Sequence, residues 1–218
     1  MDIILASGSP RRYNLLKQMG WNVEVRTLPF AEAETVNDAA EHTEVLLSPF
    51  RNADLVCVYN SLGKGKAAAN VLGTAVPVIA ADTIVVLGET ILGKPADAAD
   101  AKRMLRELSG RAHEVKTGIA VLYQGKTVLK VVTTKVFFRR LTEKEIDWYV
   151  RTGEPLDKAG AYGIQGKGAV LVEKIEGSYD NVVGLPLAAV YEILKDHPDC
   201  AGIAIDENKH ISQDTIGE

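Results

Sequence analysis

The chain has 218 residues, of which 46% are hydrophobic and 25% are charged, an ordinary composition for a soluble globular protein. Its formal net charge of −4 argues against a nucleic-acid or membrane-surface binder, because such proteins carry a basic excess. The two cysteines, Cys57 and Cys200, fit no C-x-x-C spacing, and the N-terminus lacks the pattern of a signal peptide. We therefore expect a cytoplasmic protein, although two cysteines could also form a bridge.

Hydrophobic periodicity, turn residues and helix caps predict strands alternating with helices along most of the chain. Residues 29–60 show no steady period, and within them we predict only a loop over 48–54. In chain order we predict a strand over 2–6, a helix over 9–20, a strand over 21–28, a helix from about 62 to 72, a central strand over 78–88, a turn at 93–95, a helix over 101–110, a hairpin of strands over 114–123 and 126–139, a helix over 142–150, a glycine-rich loop over 160–168, a strand over 169–175 and a helix over 186–194.

Strands alternating with helices, together with one hairpin, predict an α/β fold with a mixed, twisted sheet flanked by helices on both faces. No linker rich in proline, glycine or serine divides the chain. We therefore predict one structural unit over residues 1–196, with two lobes as the alternative. Periodicity is lost beyond it, which predicts a loose tail over 197–218.

The predicted central strand, V-I-A-A-D-T-I-V-V-L-G, carries Asp82 with no other charge within five residues on either side. A buried carboxylate is unfavourable unless it is paired or binds a metal. Proteins of the α/β class place ligands and metals at the carboxyl ends of parallel strands. We therefore predict that Asp82 lies at such a strand end and is functional, in preference to an aspartate that only caps a turn.

Basic residues lie close to glycine, serine or proline in several predicted turns and element ends. Segment 7–12 joins a strand to a helix, and such a helix start offers free N–H groups to an anion. Judged one at a time, a capped helix or a solvated turn explains each of these segments better than a ligand does. Together with Asp82, however, the cations favour a polyphosphate substrate and a Mg²⁺-dependent enzyme. They are Arg11, Arg12, Lys64, Lys66, Lys94, Lys158 and Lys167.

Several motifs, in order from residue 3 to about residue 195, resemble the Maf family of nucleoside triphosphate pyrophosphatases. They are L-A-S-G-S-P-R-R from Leu5, A-D-T-I-V from Ala81, G-K-P from Gly93, M-L-R-E-L-S-G-R-A-H-E-V from Met104, E-P-L-D-K-A-G-A-Y-G-I-Q-G from Glu154 and G-S-Y-D-N-V-V-G-L-P from Gly177. The resemblance implies an inosine-triphosphatase-like fold and hydrolysis of a nucleoside triphosphate to the monophosphate and pyrophosphate. It also implies a divalent ion, Mg²⁺ or Mn²⁺, a cytoplasmic setting and often a homodimer.

The resemblance also implies roles for individual residues. Asp82 matches the family's catalytic base, and Glu32 is implied as its partner in holding the metal. Arg11, Thr83 and Gln165 match the positions that set base preference, and they resemble the branch that prefers dTTP and UTP. The residues implied in phosphate binding are Ser7, Ser9, Arg12, Lys66 and Lys94, to which we add Lys158 as a substrate-binding residue.

Three alternatives stay open. The segment L-G-K-G-K-A departs from the family's L-A-x-x-K-A, so Lys64 competes with Lys66 for the phosphate site. A sister branch acts on 7-methyl-GTP, but it typically has Trp, Gln and Glu at the three specificity positions. A division-linked regulatory protein that only binds nucleotides would have no need of a buried unpaired base such as Asp82.

Overall fold

The computed structural model describes residues 1–40, 50 and 52–195. The predicted tail over 197–218, Cys200 and part of the predicted loop over 48–54 lie outside these residues. The described elements are β1 (Asp2–Leu5), α1 (Pro10–Gln18), β2 (Asn22–Val25), α2 (Val36–Ala40), α3 (Asn52–Leu72), β3 (Val78–Leu87), β4 (Thr90–Leu92), α4 (Ala98–Leu108), β5 (Ala112–Tyr123), β6 (Lys126–Phe138), α5 (Glu143–Arg151), three 3-10 helices (Glu154–Asp157, Ala159–Ala161 and Gly166–Leu171), β7 (Val172–Glu176), α6 (Tyr179–Val183) and α7 (Leu187–Leu194).

The seven described strands form one sheet in the order β2-β1-β3-β5-β6-β7, with β4 paired to β3. Strands β2, β1 and β3 run parallel, whereas β5, β6 and β7 pair in antiparallel fashion. The predicted class, a mixed α/β sheet flanked by helices, is therefore confirmed. Among the described residues, no helix combines the length and the apolar character needed to cross a membrane.

Helices cover both faces of the sheet because side chains alternate along each strand. On one face, Ile84 and Val86 of β3 belong to the core beneath α3. On the opposite face, Ile79 and Ala81 pack with α1 and α7. Further along that second face, Val85 packs with α4 and α5. The long strand β3 is thus buried between two helical layers.

Helix α3 is longer than the sequence predicted, since it begins at Asn52 rather than near Leu62. One side of α3 packs on the sheet, and the other packs on the segment that follows β2, where the rings of Phe30 and Tyr59 lie 5.5 Å apart. A helix buried on two sides lacks the single apolar stripe by which helices are recognised. This explains why the prediction missed its first ten residues.

Two smaller differences concern the C-terminal third. Residues Gly166–Leu171 form a 3-10 helix, so β7 begins at Val172 rather than at 169. Helix α6 was not predicted, because its five residues are too few to show a helical period. Its N-cap, Ser178, accepts a hydrogen bond from the backbone N–H of Asn181.

His113, at the start of β5, is a buried histidine. Its Nε2 lies 2.8 Å from the hydroxyl of Tyr162, and its ring packs edge-on against Phe138 and Tyr162. Its Nδ1 is buried and has no hydrogen-bond partner among the described residues. Burial lowers the pKa of His113 from its ordinary value of 6.5 to about 4. The folded protein therefore disfavours the protonated ring.

Acid is expected to destabilise the fold through His113. Because the unfolded chain binds the proton more readily, this group weakens the fold as the pH falls through 6.5 toward 4. Between about pH 7 and about pH 5 the expected loss is about 2 kcal/mol. His113→Gln can still hydrogen-bond to Tyr162 but does not titrate. In urea unfolding, the variant should therefore lose about 2 kcal/mol less unfolding free energy than the wild type between these two pH values. Equal losses in the two proteins would contradict this assignment.

Candidate functional site

The carboxyl ends of β1 and β2 open onto a crevice, because the connections that follow them lead to opposite faces of the sheet. Strand β1 continues into α1 on one face, and β2 continues into α2 and α3 on the other. In open α/β sheets, ligands bind at such a switch point. A cleft of about 260 Å³ at this place is lined by Ser7, Gly8, Ser9, Pro10, Tyr13 and Val25. The fold thus brings segment 7–12 to the edge where a ligand is expected.

Segment 7–12 has the predicted strand-to-helix geometry. Ser9 is the N-cap of α1, and its Oγ accepts a hydrogen bond from the N–H of Arg12 at 3.5 Å. Pro10 is the first helical residue, and the N–H of Ser9 donates to Ser7 Oγ at 3.3 Å. The positive end of α1, with the hydroxyls of Ser7 and Ser9, therefore lies beside the crevice and suits an anion.

Asp82 lies in the middle of β3, as the predicted strand over 78–88 implies, and not at the carboxyl end of that strand. Strand β3 is ten residues long, whereas the pairing of β1 with it stops at Leu5 and Ile79. Asp82 therefore lies just beyond the carboxyl end of β1. On its other side it pairs with Gly118, where an added Cβ would lie 2.4 Å from the backbone of Cys57. Glycine at this position lets α3 approach the sheet beside Asp82.

Helix α3 engages both carboxylate oxygens of Asp82. Lys64 Nζ donates to Oδ1 at 2.8 Å, and Asn60 Nδ2 donates to Oδ2 at 3.0 Å. Asn60 and Lys64 are four residues apart and so lie on one face of the helix. The side chains of Asp82 and Lys64 are only 12% and 17% exposed. The costly carboxylate seen in the sequence is thus a paired, hydrogen-bonded group.

Asn60 also anchors the segment that carries Glu32. Its Oδ1 accepts from the N–H of Ala33 at 2.8 Å, and its Nδ2 donates to the carbonyl of Ala33 at 3.0 Å. Asn60 is 3% exposed. Asn60 was not among the predicted site residues, because it precedes the predicted start of the helix. An amide in an apolar stretch, four residues before a lysine, was the available signal.

Lys64, not Lys66, lies at Asp82. The two lysines are two residues apart on α3 and therefore point about 200° apart around its axis. Lys66 instead lines a separate cleft with Thr74 and Lys126, at the turn between β5 and β6. The structure thus favours Lys64, the competing residue, as the lysine of this site. It does not bring Lys66 to the other predicted phosphate residues.

Arg12 binds Thr83 on the opposite face of β3 from Lys64. Neighbouring strand residues point to opposite faces, so Asp82 faces α3 and Thr83 faces α1 and α6. The guanidinium of Arg12 donates to Ser7 Oγ at 3.0 Å, to Thr83 Oγ1 at 3.0 Å and to the carbonyl of Gly184 at 2.8 Å. Burial lowers the pKa of Arg12, and the charge of Asp82 opposes this effect. Arg12 is therefore a fixed cation within the electrostatic reach of Asp82.

Arg11 and Lys158 meet at the carboxylate of Asp157. Arg11 Nη1 lies 3.8 Å from Asp157 Oδ2, and Lys158 Nζ lies 2.5 Å from Asp157 Oδ1. Lys158 also donates to the carbonyl of Glu154 at 2.6 Å. Two predicted substrate-binding cations, distant in sequence, are therefore neighbours at the start of α1.

Gln165 and Lys94 are both exposed, and the structure shows no hydrogen bond from either side chain within the described residues. Their loops are nevertheless joined, because the N–H of Gly160 donates to the carbonyl of Gly93 at 3.0 Å. The turn that carries Lys94 and the glycine-rich loop that carries Gln165 are thus one connected surface.

The backbone is held on both sides of Gln165. The N–H of Gly163 donates to the hydroxyl of Tyr149 at 3.2 Å, and the N–H of Lys167 donates to Glu154 Oε1 at 3.2 Å. Tyr149 comes from α5 and Glu154 from the 3-10 helix after it. Neither residue was predicted to have this role, because the role depends on how the loop folds back on α5.

Glu32 and Asp82, the predicted metal ligands, converge on one cation. Lys64 Nζ lies 2.8 Å from Glu32 Oε2 and 2.8 Å from Asp82 Oδ1. Within the described residues, no group of three or more His, Cys, Asp or Glu could hold a metal. Magnesium is usually bound by one or two carboxylates together with water and substrate phosphates. The two carboxylates therefore fit a hard divalent ion that binds with a phosphate ligand.

Fold and site together define an α/β protein whose sheet edge suits an anion, with a carboxylate pair, a lysine and a fixed arginine near the end of β1. The chain belongs to the Maf family: the family model described as Maf-like protein matches residues 2–197. The resemblance seen in the sequence is thereby confirmed.

Several curated relatives are similar over most of this chain. The dTTP/UTP pyrophosphatase of Dictyoglomus thermophilum is 46% identical, covering 88% of this chain and 94% of the relative. The dTTP/UTP pyrophosphatase of Bacillus cytotoxicus is 48% identical, covering 88% and 93%. That of Vibrio cholerae is 47% identical, covering 88% and 96%. Among solved structures, the Staphylococcus aureus Ham1 protein aligns with a TM-score of 0.41 and 15% identity, covering 79% of this chain and 80% of that one.

Proposed function

We propose that this protein hydrolyses dTTP or UTP to the nucleoside monophosphate and pyrophosphate. The observation that carries the proposal is the cluster of Asp82, Lys64 and Glu32 at the carboxyl edge of the sheet, with Arg12 close by. Relatives that bear the name dTTP/UTP pyrophosphatase, at 46% to 48% identity over 88% of the chain, support the choice of reaction and base.

In the proposed reaction, the oxygen of a water bonds to the α-phosphorus, and the bond to the oxygen that bridges to the β-phosphorus breaks. Asp82 accepts the proton of that water as a general base. Lys64, Arg12 and the N–H groups at the start of α1 neutralise the charge of the triphosphate and of the leaving pyrophosphate. A divalent ion, Mg²⁺ or Mn²⁺, held by Glu32 and Asp82 would add further charge neutralisation at the phosphate oxygens.

Base preference is assigned to Arg11, Thr83 and Gln165. Their connections support one recognition surface. Arg12 donates to Thr83, and its neighbour Arg11 pairs with Asp157 in the motif that also contains Gln165. Through these contacts, α1 is joined to β3 and to the 3-10 helix that precedes the glycine-rich loop. Lys94 and Lys158 extend the cationic surface on the side of that loop.

A panel of nucleotides tests reaction type and base preference together. The full chain is incubated with Mg²⁺ or Mn²⁺ and each of dTTP, UTP, CTP, dCTP, ATP, GTP, ITP and 7-methyl-GTP, and the products are separated by ion-exchange chromatography. We expect monophosphate and pyrophosphate, with kcat/KM for dTTP and UTP at least about tenfold above that for the purine triphosphates.

Three other outcomes of the panel would contradict the proposal. A lead for 7-methyl-GTP would favour the sister branch. Release of orthophosphate would show that the wrong anhydride bond is cleaved. Absence of hydrolysis with every nucleotide and both metals would favour a regulatory protein that only binds nucleotides.

A further inference from the structure

The two hydrogen bonds to Asp82 differ in how easily they can be released. Asn60, which binds Oδ2, is buried and is itself fixed by both backbone groups of Ala33. Lys64, which binds Oδ1, reaches the carboxylate through a flexible stem of four carbons. Oδ1 is therefore the oxygen of Asp82 that can be freed without disturbing the fold.

Lys64 lies where a divalent ion shared by the two carboxylates would have to bind. Its Nζ is 2.8 Å from an oxygen of Glu32 and 2.8 Å from an oxygen of Asp82. A hard divalent ion binds carboxylate oxygens at about 2.0 to 2.6 Å. An ammonium and such an ion cannot share these two oxygens, because their charges would repel strongly at this separation. Binding of one therefore requires displacement of the other.

Lys64 and Arg12 are the cations in electrostatic contact with Asp82 in the described part of the chain, and of these two Lys64 changes its partner more easily. Arg12 is fixed by hydrogen bonds to Ser7, Thr83 and Gly184. The side chain of Glu32 is 51% exposed, so the carboxylate pair opens to solvent on that side. A displaced Lys64 can therefore move toward a ligand in the crevice.

We propose that Lys64 is the resident counter-ion of the Glu32–Asp82 pair, and that a divalent ion arriving with the nucleotide displaces it onto a phosphate oxygen. Lys64 then has two roles. Before substrate binds, it stabilises two neighbouring carboxylates and weakens metal binding by the free protein. After the exchange, it is a further phosphate-binding residue. The proposal deepens the proposed function and rests on it for the identity of the nucleotide.

The consequence is that metal and nucleotide assist each other's binding. A nucleotide phosphate offers Lys64 a new partner, so metal binding costs less when nucleotide is present. By thermodynamic linkage, the metal must strengthen nucleotide binding by the same factor. A lysine that only stabilised the fold would produce no such coupling.

Binding of Mn²⁺ without nucleotide tests the first half of the proposal. The free Mn²⁺ signal in electron paramagnetic resonance is followed during titration of the wild type and of Lys64→Met. Removing the ammonium is expected to tighten Mn²⁺ binding by at least about tenfold, since a full positive charge leaves the immediate surroundings of the ion. The matched control is Lys102→Met, because Lys102 Nζ pairs with the single carboxylate of Asp147 at 2.6 Å on the surface. The control is expected to bind Mn²⁺ as the wild type does.

A second titration, in the presence of a UTP analogue with a non-hydrolysable α,β-imido bridge, tests the exchange itself. The analogue should tighten Mn²⁺ binding at least about tenfold in the wild type and clearly less in Lys64→Met, because methionine cannot move onto a phosphate. Lys64→Gln, which is neutral but can still donate to one carboxylate, provides a second variant if methionine impairs folding.

Two results would overturn the proposal: both folded variants bind Mn²⁺ no more tightly than the wild type, or the analogue strengthens Mn²⁺ binding equally in all three proteins. Neither titration requires turnover. If the nucleotide panel shows no hydrolysis while Lys64→Met binds Mn²⁺ more tightly, the proposed function fails and the counter-ion role stands. If the panel shows the expected hydrolysis while Lys64→Met binds Mn²⁺ no more tightly than the wild type, the proposed function stands and the counter-ion role of Lys64 fails.

Discussion

Asp82→Asn is expected to lower kcat for dTTP or UTP by at least about a thousandfold, since general-base catalysis contributes about 10² to 10⁴ and a metal-holding oxygen is altered as well. The carboxamide has nearly the shape of the carboxylate but cannot accept the proton of the attacking water. It also binds a divalent ion less strongly than a carboxylate does. The loss should therefore appear in the chemical step.

Measured without a divalent ion, nucleotide affinity should change much less, within about fivefold. The contacts that bind substrate equally in the ground state and the transition state come from residues other than Asp82. The proposed phosphate contacts from Ser9, Arg12 and the start of α1 do not depend on Asp82. The fold should also persist. Asn60 is fixed by Ala33 and still presents its Nδ2 to position 82, while Lys64 keeps Glu32 as a partner at 2.8 Å.

The measurement pairs steady-state kinetics with calorimetric binding, without divalent ion, of the non-hydrolysable UTP analogue. Asp147→Asn is the matched control, since Asp147 is 44% exposed and, among the described residues, forms its ion pair with Lys102 and not with a residue of the site. This control should keep normal turnover. Near-normal turnover in Asp82→Asn would exclude Asp82 as the base, and a parallel loss of binding would point to a structural role instead.

Features that depend on neighbouring residues could be predicted from the sequence. Asp82 stood out because a single charge in an apolar strand needs a partner, and the structure supplies Lys64 and Asn60. The hairpin between β5 and β6 followed from Gln124-Gly125, and both residues have a positive φ, of 48° and 73°. Such features depend on a few neighbouring residues, so no knowledge of the tertiary structure was needed.

Which residues form the site depends on tertiary packing, so this could be predicted only in part from the sequence. Whether Lys64 or Lys66 faces Asp82 is decided by the rotation of α3 about its axis. That rotation is set where α3 packs against Gly118, on a strand that follows far along the chain. No local pattern encodes it. The period of two in a strand does predict that Asp82 and Thr83 point to opposite faces. That both lie beyond the carboxyl end of β1, next to the crevice, follows only from how β1 pairs with β3.

Asn60→Leu is expected to lower the free energy of unfolding by about 3 to 5 kcal/mol. Leucine has a similar size, so the change leaves no large cavity. It removes every hydrogen bond that Asn60 makes to Ala33 and Asp82. Each buried polar group left without a partner costs about 1 to 3 kcal/mol, and more when it is charged. Because domains are typically stable by about 5 to 15 kcal/mol, this loss is a large share of the total.

Urea unfolding followed by circular dichroism measures the effect. Asn70→Leu is the control, since Asn70 is an exposed asparagine on the same helix. It should change the stability by no more than about 0.5 kcal/mol, as surface substitutions usually do. A loss below about 1 kcal/mol in Asn60→Leu would show that water replaces the amide at little cost, and the anchoring role would then be wrong.

A double-mutant cycle separates anchoring of Ala33 from support of Asp82. If Asn60 stabilises the Asp82 carboxylate, the loss of unfolding free energy in the double variant Asn60→Leu, Asp82→Leu should be smaller than the sum of the two single losses. The expected difference is at least about 1 kcal/mol. Asn60→Leu alone leaves the Asp82 carboxylate with one hydrogen-bond donor fewer. Asp82→Leu removes that carboxylate, and replacing both polar partners of a hydrogen bond is nearly neutral. Additive losses would mean that Asn60 acts through Ala33 alone. Asp82 would then be held by Lys64, the one partner that the proposed exchange takes away, and it would enter the reaction without a fixed orientation.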